Sequence, residues 1–175
     1  MRMEEHILLI EKCRNFYGNI TIAELLTTLK CVRYLDVYTD GATQFIDRAV
    51  KARVSGIGVY FEYPLPKCGS VGIAKLVETS DNNECEILAC IEALRFISKD
   101  DDHELQNIKF VHILTDSRLV FDRMTGVCRS SKCKDLFDEL IREVDNFIDV
   151  KFSYVKGHSD IKGNIEADRL SRSLF

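Results

Sequence analysis

Four acidic residues between Tyr38 and Phe175 stand where a charged side chain is out of place. Asp40 lies in Tyr38-Thr39-Asp40-Gly41-Ala42, and Glu86 in Asn82-Asn83-Glu84-Cys85-Glu86-Ile87-Leu88-Ala89. Asp116 lies in Thr115-Asp116-Ser117, and Asp168 in Glu166-Ala167-Asp168-Arg169-Leu170. Each falls at the end or in the middle of an apolar segment, where an unpaired charge is costly unless a cation compensates it. Gathered carboxylates hold hard divalent cations such as Mg²⁺. Two such ions roughly 3.5–4 Å apart activate a water and stabilise the leaving oxygen of a phosphodiester. Such a centre needs few protein ligands but must fix them on rigid elements, and strand ends and helix starts do that well.

Each acid also has a plain structural reading. Asp40 before Gly41 fits a turn. Asn83-Glu84-Cys85-Glu86 fits a helix N-cap followed by a glutamate in the first turn. Asp116 can cap the helix that follows its strand, and Asp168 can pair with Arg172 one turn on. Taken singly these readings hold. The four acids in this order on one α/β frame point instead to a shared site.

The elements that must position them follow from periodicity. Apolar positions at Ile7, Leu8, Ile10 and Cys13 predict a short helix over 3–15, and Thr21-Ile22-Ala23-Glu24 predicts a capped second helix to about Lys30. Tyr34 to Asp40, Gly56 to Phe61 and Val71 to Glu78 are β-rich, with Pro64 and Pro66 marking the turn between the last two. Short connections make these three an antiparallel meander. Glu84 to Ser98 reads as a helix whose Ala89, Cys90 and Ala93 lie close on a sheet, and Lys99 to His103 as an acidic loop. Phe110 to Thr115 is a buried-type strand ending at Asp116, followed by a helix over Arg118 to Thr125 and an amphipathic one over Leu136 to Phe147. Val150 to Val155 alternates as a strand, and Ile165 to Leu174 closes the chain as a helix. The order βββαβααβα predicts a mixed sheet with helices on its faces.

Composition bounds the rest. The 175 residues, 46% hydrophobic and 30% charged, fit a soluble globular chain with a substantial core. No apolar run approaches a membrane span, and Met1-Arg2-Met3-Glu4-Glu5 does not open a secretory signal. The seven cysteines form no CxxC pair, which argues against a zinc site. Buried thiols at Cys85 and Cys90 suit a reducing compartment, so an intracellular place, cytoplasmic or nuclear, is expected and the Asn19-Ile20-Thr21 sequon is a coincidence. The net charge of −4 at first speaks against a nucleic-acid partner, yet a carboxylate cluster contributes negative charge that bound cations neutralise. Arg123, Arg129, Lys132 and Lys134 form a basic segment free of acids, and Lys151, Lys156 and Lys162 follow. They are either a phosphate-gripping surface or a solvated face.

These motifs resemble the ribonuclease H type 1 family, whose fold is shared with the reverse-transcriptase RNase H domain. Val155-Lys156-Gly157-His158-Ser159 followed by Gly163-Asn164-Ile165-Glu166-Ala167-Asp168 carries most of the likeness. Tyr38 to Gly41, Asn82 to Glu86 running into Ala93-Leu94, and Thr115-Asp116-Ser117 add to it in family order. The resemblance implies an RNase H-like mixed five-stranded sheet over 32–175, its first three strands antiparallel and its helices on both faces, preceded by an N-terminal helical extension over 1–31. It implies that Asp40, Glu86, Asp116 and Asp168 bind two Mg²⁺, with Mn²⁺ as an alternative, and that the spacing selects Glu86 over Glu84. It implies that His158 assists proton transfer or product release. Gly41, Asn82, Ser117 and Lys156, with Arg129, Lys132 and Lys134, are the expected nucleic-acid contacts.

Three departures from the family pattern bear on grip. Only 52 positions separate Asp116 from Asp168, too few for the basic protrusion of many cellular members. The chain has no tryptophan, and its first 32 residues are not rich in arginine and aromatics. Weak intrinsic binding, or help from a protein partner or a second copy through residues 1–31, follows. Glu86 and Asp116 are also further apart than usual, which the acidic stretch around Asp100 to Asp102 accounts for. The expected activity is metal-dependent endonucleolytic hydrolysis of the RNA strand of RNA/DNA hybrids. The alternatives are a DNA-directed nuclease on the same fold and a catalytically silent nucleic-acid-binding or scaffolding module.

Overall fold

A computed structural model describes residues 3–18, 21, 34–47, 52–65, 69–99, 108–129 and 132–175. Its strands are β1 (Leu35–Asp47), β2 (Ala52–Leu65), β3 (Gly69–Val77), β4 (Phe110–Thr115) and β5 (Asp149–Tyr154). Its helices are α1 (Met3–Tyr17), α2 (Asn82–Lys99), α3 (Arg118–Met124), α4 (Lys134–Val144) and α5 (Lys162–Arg172). The strands form one sheet in the order β3-β2-β1-β4-β5. β1, β2 and β3 pair antiparallel, as the predicted meander requires, whereas β4 and β5 join in parallel. Parallel neighbours need long crossovers, which here carry α2 before β4 and α3 and α4 before β5. β1 is therefore the central strand, and whatever it carries lies in the middle of the sheet.

Alternation along β1 makes the sheet two-faced. Leu35 and Val37, with Val59 and Phe61 of β2 and Val111 and Ile113 of β4, pack against Ile87, Cys90, Ile91 and Leu94 of α2 and Phe137 and Leu140 of α4. The three- and four-residue spacing on α2 is the apolar stripe that a sheet-covering helix needs. On the opposite face Tyr38 and Tyr60 pack against Ala167 and Leu170 of α5. Further along that face α1 buries Leu9 and Cys13, one turn apart, against Phe110 and Ile148. The expected helix over 21–30 and the acidic loop lie outside the described residues, Thr21 and Lys99 apart.

Two readings are corrected. β1 does not stop at Asp40: it continues through Asp40↔Gly58 and Gly41↔Ile57 to Asp47, so the turn reading of Asp40 fails. The N-cap of α2 is Asp81 rather than Asn83, because Asp81 Oδ1 accepts the Asn83 backbone N–H at 2.8 Å. An aspartate at that place satisfies an orphan donor of the first turn just as an asparagine would, so the sequence was ambiguous by two residues.

α5 lies so close to β2 that a side chain between them is impossible. A methyl group at Gly58 would sit 2.0 Å from the Ala167 carbonyl oxygen, and one at Gly56 2.4 Å from that of Ser171. Gly58 is also the register partner of Asp40, so this approach sets where α5 stands relative to that carboxylate. Gly58→Ala is expected to destabilise the fold by roughly 1–3 kcal/mol through overpacking, read by urea denaturation. It should shift Asp168 as well, since α5 carries it. Leu9→Ala is expected to cost about 2–3 kcal/mol and leave any catalysis intact, because α1 supports the sheet from its far end. A Leu9→Ala protein as stable as wild type would show that α1 contributes no packing.

Candidate active site

Asp40, Glu86 and Asp116 meet from three elements. Each offers a carboxylate oxygen within 4.8 Å of those of the other two, the only such group of three among the described residues. Asp40 comes from the centre of β1 and is 6% exposed. Glu86 comes from the first turns of α2 and is equally buried. Asp116 follows the last residue of β4, where Ser117 turns the chain into α3 by accepting the Val120 N–H at 3.4 Å.

The chain holds these acids with its own backbone and side-chain donors. Gly41 lets α2 touch β1, since a methyl group there would lie 2.5 Å from the Glu86 nitrogen. The Gly41 backbone and the Asn82 side chain, the latter at 3.5 Å from Oε1, donate to Glu86. Glu86 Oε2 is buried without a hydrogen-bond partner. Ser171 of α5 hydrogen-bonds to Asp40 Oδ2. Asn164, 3% exposed in the first turn of α5, hydrogen-bonds to Asp116, and its own Oδ1 is left unpartnered. A buried carboxylate oxygen with no donor calls for a cation.

Electrostatics agree with that reading. Burial first, then the charges of Asp116 and Asp168, push the Asp40 carboxyl up to about 6, against the opposing hydrogen bond from Ser171. Burial followed by the charges of Asp40 and Asp116 raises Glu86 well above the carboxylate range. Asp116 is raised by burial and by Asp168, and opposed by Asn164 and by His158. Three acids that each resist ionisation are a site waiting for positive charge.

Asp168 stands beside this group rather than inside it. It keeps the predicted pair with Arg172, Oδ1 to Nε at 2.8 Å, yet its charge is felt at both Asp40 and Asp116. His158 lies in an exposed loop with a left-handed backbone, φ 52°. The loop is tied to β4 by Val155 N–H donating to the Thr115 carbonyl at 3.0 Å, and it passes so close to Asp116 that a methyl group at Gly157 would lie 2.8 Å from Asp116 Oδ2. Of the expected nucleic-acid contacts, Gly41, Asn82 and Ser117 border the carboxylates. Arg129 and Lys156 are exposed, but Lys132 pairs with Asp81 at 3.4 Å and Lys134 pairs with Asp138.

The sequence reading passed over Asn164 and Ser171. A signal existed for Ser171: small residues at Ala167 and Ser171, one turn apart, complement the glycines at 56 and 58. Asn164 lies inside the Gly163 to Asp168 motif, but an asparagine in the first turn of a helix also reads as a cap.

The RNase H family model matches residues 33–174. Ribonuclease H1 of Mus musculus is 33% identical over 150 residues, covering 78% of this chain and 48% of its own length. Ribonuclease H of Schizosaccharomyces pombe is 32% identical over 138 residues, covering 78% and 51%. The chain thus spans about half the length of these curated relatives. Among solved structures, RNase H1 from the halophilic archaeon Halobacterium salinarum superposes with a TM-score of 0.59 at 21% identity, over 81% of this chain and 96% of that one. LC11-RNase H1, solved in complex with RNA/DNA hybrid, gives 0.57 at 19% identity, over 81% and 99%.

Raised carboxylates make the metal-free protein pH-dependent with a defined sign. Between the ordinary aspartate value of 3.8 and about 6 the folded state binds more protons at Asp40 than the unfolded chain does. Stability contributed by the protonated form is therefore lost as pH rises through that window. In EDTA, Tm should fall as pH rises from about 4 to above 6, and Asp40→Asn should flatten the fall. At pH 7 this variant should be more stable than wild type by about 2 kcal/mol, or roughly 4–8 °C. A divalent cation should stabilise wild type and not the variant. Equal Tm–pH curves for the two proteins would refute the strained cluster.

Proposed function

Because the chain belongs to the RNase H family, we propose that it is a divalent-cation-dependent endoribonuclease that hydrolyses the RNA strand of RNA/DNA hybrids. The observation that carries this reading is the unpartnered Glu86 oxygen buried against Asp40 and Asp116 on three rigid elements. Asp40, Glu86, Asp116 and Asp168 are the residues to hold two Mg²⁺, which supply Lewis acidity toward the attacking water and charge compensation at the leaving oxygen. No helix among the described residues is long and apolar enough to cross a membrane.

The chain's own groups divide the remaining work. Asn164 keeps the Asp116 carboxylate turned toward the cluster, and Ser171 does the same for Asp40. His158 assists proton transfer at the reacting oxygens or release of the cut strand, and either role suits its place in an exposed loop. Gly41, Asn82 and Ser117 border the scissile strand where 2′-hydroxyls distinguish RNA from DNA. Arg129, Lys132, Lys134 and Lys156 contact backbone phosphates, so sequence preference is weak. Lys132 and Lys134 must exchange Asp81 and Asp138 for phosphate, which limits what each adds.

Labelled hybrid, duplex DNA and duplex RNA incubated with Mg²⁺ or EDTA test the reading. Only the RNA strand of the hybrid should be cut, and only with the metal. Asp116→Asn should abolish cleavage while the protein stays folded. His158→Ala should lower turnover by about 10²-fold, with hybrid affinity little changed. Undiminished cleavage by Asp116→Asn would overturn the metal centre, and cleavage of duplex DNA alone would replace the substrate.

A further inference from the structure

The residue after Ser117 is an exposed arginine, and it does not turn to the carboxylates two positions away. The Arg118 guanidinium lies 3.7 Å from the centre of the Tyr154 ring. That ring is backed by Phe121, one turn along α3, with centroids 6.2 Å apart at 59°. Tyr154 is 36% exposed and ends β5, immediately before the loop that carries His158. The stack therefore bridges the segment bearing Asp116 and the segment bearing His158.

Among the described residues Arg118 forms no ion pair, whereas Arg95, Arg169 and Arg172 each have a carboxylate partner. Lys132 and Lys134, expected from sequence to grip a polyanion, are held by Asp81 and Asp138. A guanidinium lying on an aromatic ring has one face covered and its in-plane N–H donors directed outward. That edge matches two oxygens of a phosphate, which a lysine, as a point charge, does not do. The ring also limits the rotamers open to the side chain, so less freedom is lost when an anion arrives.

We infer that Arg118, presented by Tyr154, is a backbone-phosphate contact of the nucleic-acid substrate beside the cleavage centre, and that it supplies grip which Lys132 and Lys134 provide only by breaking ion pairs. The inference rests on the nuclease reading for its ligand and concerns binding rather than chemistry. A phosphate contact carries no sequence information, so the loss on removing it is uniform across hybrids.

The test is fluorescence anisotropy of a labelled hybrid in Ca²⁺, under conditions where it stays intact, over a range of salt concentrations. Steady-state kinetics in Mg²⁺ run in parallel. Arg118→Ala should raise Kd about tenfold and reduce the slope of log Kd against log salt by about one, with kcat at saturating hybrid within about twofold of wild type. Tyr154→Phe keeps the ring and should behave as wild type, whereas Tyr154→Ala should weaken binding in the same direction as Arg118→Ala. An unchanged Kd and salt slope in Arg118→Ala overturns the contact. So does a fall in kcat at unchanged Kd, or weakened binding with the slope intact. Absence of Mg²⁺-dependent cleavage by wild type overturns the nuclease reading alone, since the salt slopes still decide Arg118.

Discussion

Asp40, Glu86 and Asp116 are buried close together, and each is pushed toward its neutral form by the loss of water and by the others' charge. Such a group opposes folding, so the surrounding structure has to be firm enough to hold it. The firmness comes from where the acids are attached. Asp40 sits on the central strand, Glu86 on a helix whose other buried residues are all apolar, and Asp116 at the end of a strand buried between two others. The apolar layer formed by β1, β2, β4, α2 and α4 thus serves the site as much as the fold.

Close backbone contact is the second device. Gly41 admits α2 to β1 and Gly58 admits α5 to β2, each at distances that exclude even a methyl group. These contacts bring the donors Asn82, Ser171 and Asn164 to the three acids without bringing a full positive charge among them. Arg172 is near enough to be felt at Asp40, but it is spent on Asp168. The cluster keeps its appetite for a cation because the protein supplies hydrogen bonds and withholds ion pairs.

The surface follows another rule. Several cations take a carboxylate one turn away along the same helix, as Lys134 does with Asp138 and Arg169 with Glu166, and exposed pairs of this kind add little stability. Arg118 lies instead on the Tyr154 ring. Charge counted along a sequence therefore misjudges which cations are available to a polyanion.

How much was legible in the sequence depended on whether the signal was local. The helix α2, the β-rich segments of β1 and β2, the buried run of β4, the alternation of β5 and the meander were readable because residue type and periodicity report burial directly. The four carboxylates and His158 were readable as motifs, and their order along the chain named the family; the comparisons bear out that family and its fold. The sequence could not say that β1 runs on past Asp40, because strand length is decided by the partner that pairs with it. Nor could it separate Asp81 from Asn83 as the cap of α2, since both side chains satisfy the same donor. Tertiary structure alone decided that Asp168 stays with Arg172 at the margin while the other three acids converge, that Asn164 and Ser171 hold two of them, and that Lys132 and Lys134 are paired while Arg118 is stacked. Those outcomes turn on contacts between residues tens of positions apart, or on a choice between competing partners. Spacing in a sequence records which partners are within reach and not which one wins.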